Sequence, residues 1–248
     1  MFRPIITAFR TLTLIPLPGK DAGRFSHSLL FFPVVGLVLG LVVVAGYQGC
    51  IAISFSQWYI AAIVLLAVVS WITGGLHLDG FADVCDAFGG ARSRERVLEI
   101  MKDSRIGTFG ATAIVFDLLL KVFCWAYFLK SGRPSIIVFS LVLSRTVQPI
   151  FISFFPNAKG LNSSIAADFR NDGIFGKVAS TIVLVLVTFF MTMVDQRPQV
   201  LFYVLSSISA VMIWGLYCLK RIGGITGDCI GAVNEITEML ILVLAALL

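Results

Sequence analysis

The stretch "LLFFPVVGLVLGLVVVAGYQGC", residues 29–50, runs from Leu29 to Cys50 without one charged side chain. About 20 apolar residues cross the hydrocarbon core of a bilayer as a helix. Inside that core a chain must satisfy its own backbone N–H and C=O groups, so a helix is the form such a run takes. Outward from this stretch, comparable runs occur at 57–74, 108–129, 135–155, 178–195, 199–219 and 229–248. The expectation is an all-α, polytopic integral membrane helical bundle of about seven transmembrane helices, a single domain over residues 1–248. Composition agrees: 58% of residues are hydrophobic and 13% charged, which excludes an ordinary soluble domain.

Details of the runs add to this. Gly36, Gly40 and Gly46 give the first run a spacing suited to close helix packing. The fourth run is the weakest, because Arg145, Gln148 and Pro149 interrupt it. The N-terminus, "MFRPIITAFRTLTLIPLPGK", does not read as a signal peptide: Arg10 breaks its apolar stretch and no small-residue cleavage site follows. Pro16 and Pro18 stop any helix, so a short interfacial helix is expected over 4–14. Cys50, Cys85, Cys124, Cys218 and Cys229 form no C-x-x-C pair and read as buried free thiols rather than a disulfide or zinc framework.

Loop charge sets orientation. With the N-terminus cytoplasmic, fourteen Lys and Arg fall in inside segments and three (Lys130, Arg133 and Arg197) outside. That places a multi-pass protein in the cell inner membrane, in contact with lipid, with its N-terminus and active site cytoplasmic. The net charge of +5 is then an anchoring pattern, and no nucleic acid is expected as partner.

The chemistry concentrates in "GGLHLDGFADVCDAFGG", residues 74–90. On a helix, Asp79, Asp83 and Asp86 lie within about 60° of one another, where like charges repel. A divalent cation answers that repulsion, and carboxylates suit Mg²⁺, which takes one or two of them plus substrate phosphate. Set against this is a solvated helix end beside neighbouring arginines. The glycines around the acids allow close backbone approach to a ligand. "ARSRERVLEIMKDSRIGTFG" (91–110) then adds Arg92, Arg94, Arg96, Asp103 and Arg105, and metal-binding carboxylates beside guanidinium groups fit phosphoryl transfer. Val97, Leu98, Ile100 and Met101 form an apolar face expected along the membrane surface. "GGITGDCIGAVNEITE" (223–238) puts Asp228 and Glu235 on one helical face, with Asn234 and Glu238 nearby. Acids entering a span are functional candidates. Asp117 and Lys121, four apart, read as neutralising each other, and Arg145 requires an acid or a substrate phosphate. His77 lies on the far side of the helix from the aspartates.

The segment from Gly74 to Gly110 closely resembles the signature region of the cobalamin synthases, the adenosylcobinamide-GDP ribazoletransferases. "TLTLIPLP" (11–18), "FFPVVGLVLG" (31–40), "SR" (144–145) and "GGITGDCIGAVNEITE" carry the likeness through most of the chain. Ala87 stands where the family often has Gly, and "KGLNSS" where it often has a compact "GLG". The resemblance implies that adenosylcobinamide-GDP is joined to α-ribazole, or its 5′-phosphate, giving adenosylcobalamin, or its phosphate, with release of GMP and Mg²⁺ as cofactor. It then implies Asp79, Asp83, Asp86 and Asp103 as metal ligands, with Asp83, Asp103 and Arg105 catalytic and Asp103 a possible base. Arg92, Arg105, His77, Arg145, Lys121, Asp228 and Glu235 are the candidates for substrate binding. A homo-oligomer or other cobalamin-pathway enzymes are candidate partners. The alternatives are a CDP-alcohol-type Mg²⁺-dependent phosphotransferase, whose full D-G-x-x-A-R signature is absent, and a secondary transporter, which also needs acids among broken helices.

Overall fold

The computed structural model describes residues 2–90, 93–158, 181–187 and 199–248. Its helices are α1 (Arg3–Leu12), α2 (Ser26–Leu29), α3 (Phe32–Ala52), α4 (Trp58–Ile72), α5 (Leu76–Gly90), α6 (Arg94–Ile100), α7 (Thr108–Lys130), α8 (Pro134–Phe154), α9 (Gln199–Ile222) and α10 (Gly227–Leu247). Residues 181–187 are also helical, and the remainder of the expected span 178–195 lies outside the described residues.

Among the described residues five stretches are long and apolar enough to cross a membrane: Ser26–Ala52, which joins α2 to α3, and helices α7, α8, α9 and α10. The expected span over 57–74 is different. Helix α4 has 15 residues, about 22 Å of rise, and then bends by 89° into α5. The cause is local. Gly74 and Gly75 sit at φ +64° and +68°, a left-handed conformation that glycine adopts without strain. Their N–H groups close back on the carbonyls of Trp71 and Ser70, each at 3.0 Å, which ends the helix as a C-cap does. The chain therefore turns sharply into α5, which packs on α10 and α7.

Helix α8 is the central element, not the weakest. It runs unbroken through Pro149, and Arg145, Thr146 and Gln148 are all buried. Polar side chains are tolerable there because they find partners, as described below. Helix α3 packs along α8, with Gly36 facing the backbone of Leu141 and Val142, and Gly40 facing Val138, so the spacing of small residues does bring these backbones close. The apolar face of α6 is turned onto protein rather than lying along a membrane surface: Val97 and Met101 are buried, and Arg94 Nε donates to the Ile222 carbonyl at 2.9 Å. Helix α1 begins and ends close to expectation and buries Ala8, Phe9 and Leu12. All five cysteines are free thiols; Cys218 and Cys229 are buried and the others half-buried.

Candidate active site

Helix α5 carries the three aspartates, and its position is set by two glycines. A side chain at Gly80 would meet the Asp228 Cα at 3.0 Å, and one at Gly231 would meet the His77 carbonyl at 3.2 Å. The backbones of α5 and α10 therefore nearly touch, and the first turn of α10 sits beside the acid helix. Thr226 caps that turn, its Oγ1 accepting from the Cys229 N–H at 3.3 Å and donating to Asp228 Oδ2 at 3.3 Å. Asp228 in the first helical turn also complements the helix dipole. The negative charges acting on Asp83 are those of Asp79, Asp228 and Asp86. Asp79 and Asp83 have no ion-pair partner among the described residues.

Asp86 is also tied to the backbone of the next helix. Its carboxylate accepts from the Gly107 N–H at 2.7 Å and the Gly110 N–H at 2.8 Å, so it caps the start of α7. Both glycines lie hard against this carboxylate. Sequence reasoning missed this, although "RIGTFG" carried the signal of two small residues at a helix start.

Asp103 and Arg105 pair with one another. Arg105 donates through Nε to both carboxylate oxygens at 3.0 and 3.2 Å and through Nη2 at 2.6 Å. These hydrogen bonds hold the Asp103 carboxyl down at about 2 and push the Arg105 guanidinium up. The charges felt by Asp103 are those of Arg105 and Arg96, and among the described residues it does not converge with the acids of α5 into a metal-holding group. Arg105 is 86% exposed. Arg96 pairs with Glu99 at 2.7 Å. Arg92 lies outside the described residues.

A second polar group fills the middle of the bundle. Lys121 meets Asp117 at 3.2 Å, Glu238 at 3.1 Å and Glu235 in a very short contact. Arg145 meets Glu238 at 2.5 Å and Ser144 Oγ at 2.9 Å. Asn234 donates to Glu235 at 3.1 Å and Glu238 at 2.9 Å, and receives from Gln148 at 3.0 Å. Gln148 also reaches His77 Nε2 at 3.3 Å. Lys121, Arg145, Glu235 and His77, all candidates for substrate binding, thus belong to a buried network. Glu235 and Asp228 do not share a site: Asp228 faces α5, while Glu235 points into the cluster. The simple Asp117–Lys121 pair is one edge of a larger assembly.

Two cavities flank Asp79. One, of about 250 Å³, opens between α1, α3, α5, α8 and α10; the other, of about 590 Å³, lies between α1, the Gly74–Gly75 turn and α7. Both are bounded by Thr11, Leu76 and Asp79. Among the described residues no three His, Cys, Asp or Glu converge as a preformed metal cage. The donor set of Asp79, Asp83 and Asp228 nevertheless suits a hard cation that takes few protein ligands and completes its shell with substrate phosphate.

The fold and this end of the bundle define a polytopic helical membrane protein with a row of carboxylates on α5, of which Asp79 borders two cavities. More particularly, the chain belongs to the cobalamin-5-phosphate synthase family, whose model matches residues 4–246. It is 38% identical to the adenosylcobinamide-GDP ribazoletransferase of Chlorobium chlorochromatii, covering 100% of this chain and 97% of that protein. It is 36% identical to that of Chlorobaculum tepidum, over 100% and 96%, and 33% identical to that of Brevibacillus brevis, over 95% and 94%. No solved structure matches the chain.

Proposed function

We propose that this protein is a Mg²⁺-dependent transferase joining adenosylcobinamide-GDP to α-ribazole, or to α-ribazole 5′-phosphate, with release of GMP. The observation that carries the reading is Asp79, which borders both cavities, with Asp228 bordering the smaller one and Asp83 one turn along the same helix, within the charge of both. A transfer between two substrates needs two compartments that share a reacting edge, and these share Asp79. The names of the full-length relatives supply the substrates.

In the reaction, the acceptor hydroxyl oxygen forms a bond to the phosphorus attached to cobinamide. The bridging P–O bond to the departing nucleotide breaks, and GMP leaves with the electron pair. Asp79, Asp83 and Asp228 would hold Mg²⁺, which when bound supplies charge neutralisation on the pyrophosphate. Asp86 holds α5 against the start of α7 and so fixes the direction of the acid row. The hydroxyl proton must pass to a base. Asp103, ionised and held at about 2 by Arg105, is a weak one, since a good general base has a pKa near the working pH. Arg105, largely exposed, is available to fold onto phosphate oxygens of the donor, in exchange for its bond to Asp103. The excess of Lys and Arg on the connections at this end makes it the cytoplasmic face, in the inner membrane.

The test is GMP release by purified protein in detergent with both substrates, with Mg²⁺ and with chelator. Release with the metal and none with chelator is expected. Release that chelator leaves untouched would remove Mg²⁺ from the proposal, and no release under any condition would remove the transferase reading.

A further inference from the structure

We propose that the smaller cavity seats the aromatic base of the acceptor nucleoside, with its ribose directed at Asp79 and Asp228. The inference rests on the transferase reading and deepens it by giving one of the two substrates a place. The walls are Leu12, Phe25, Leu29, Phe32, Ile152 and Ile230, an apolar lining of the kind that binds flat ring systems. A volume of about 250 Å³ admits a fused bicyclic ring and excludes a corrin macrocycle.

Guanine, the donor's own bicyclic base, suits the cavity poorly. The polar side chains on its wall are Thr11, His77, Gln148 and the carboxylates Asp79 and Asp228, and the Gln148 amide nitrogen is already engaged with His77 Nε2 at 3.3 Å and with Asn234 at 3.0 Å. A guanine could pair with these carboxylates only by occupying the acids at the reacting edge, and elsewhere on the apolar walls its donors and acceptors would be buried without partners, which is costly. The benzimidazole ring of a ribazole has an apolar hydrocarbon edge and makes no such demand. Asp79 and Asp228 border the same cavity, so a base seated inside points its sugar hydroxyls at the carboxylates. The larger, more open cavity on the other side of Asp79 is left for the donor.

The experiment changes the cavity at Ile152, a buried wall residue of α8, and changes the ring at the same time. The acceptors are α-ribazole and the α-riboside of imidazole, which lacks the fused ring. Each is measured in turnover and, separately, by equilibrium dialysis against the full-length protein in detergent. Ile152→Phe should raise both KM and Kd for α-ribazole by about tenfold or more while shifting the imidazole riboside by less than about twofold. The KM for adenosylcobinamide-GDP should stay unchanged. Ile152→Ala should shrink the preference for α-ribazole over the imidazole riboside, and it carries the test alone if the larger side chain impairs folding. Equal weakening of both ribosides, a rise in donor KM instead, or an unaltered preference in Ile152→Ala overturns the assignment. Binding that follows ring size in a protein that releases no GMP would refute the transferase reading and leave the cavity assignment standing. GMP release without ring-size dependence would do the reverse.

Discussion

At the scale of single residues, three aspartates with the same spacing logic turn out to do different work. Asp79 and Asp83 have no ion-pair partner among the described residues, whereas Asp86 uses both oxygens on the N–H groups that open α7. Asp83→Asn should lower GMP release by about 10²-fold or more with an unchanged elution profile in detergent. Asp86→Ala should instead show first in stability, costing about 1–2 kcal/mol on an SDS-unfolding titration. That the three share a helix face was legible in the i, i+4, i+7 spacing. The capping role was not, because it depends on which helix start folds back from more than twenty positions away. Asp103 illustrates the same limit: two residues apart in sequence, it and Arg105 satisfy each other. The pair also makes a pH prediction. A carboxyl lowered in the folded state contributes stability that is present above its unfolded value and lost as pH falls through about 2. Melting curves of wild type and Asp103→Asn should therefore run parallel between roughly pH 5 and 9, and converge only in strong acid.

At the scale of elements, apolar run length was enough to locate the long spans to within a few residues. It was blind to the turn between α4 and α5, since hydropathy records what a side chain prefers and not what φ a backbone must take. Two consecutive glycines before an acidic segment were the available sign. Gly75→Ala should cost about 1–2 kcal/mol, the strain of a left-handed alanine, read as a lower melting temperature. Gly80→Ala should act differently. Its added carbon would press on the Asp228 backbone at 3.0 Å and part α5 from α10. The expected result is a protein that expresses and folds but has a lower kcat, measured by GMP release.

At the scale of the whole molecule, α7, α8 and α10 are joined by charges that the sequence displayed only as separate oddities. Asp117, Lys121, Arg145, Glu235 and Glu238 lie on three helices, and nothing in their spacing says that they meet. A transporter would also keep acids midway along its helices, but here they are bound to Lys121 and Arg145 rather than left open to a passing ion. Removing one cation strands buried carboxylates, so Lys121→Met should cost about 3–5 kcal/mol. The double variant with Glu235→Gln should recover part of the loss on the same titration, as coupled partners do. The 89° turn after α4 also decides which way the acid row runs. Helix α5 packs along α10 and α7, so the acid row from Asp79 to Asp86, about 10 Å long, is laid against the first turns of both. The acids are thus spaced like marks on a ruler held between two spans, with Asp228 of α10 beside one end and the start of α7 fastened to the other.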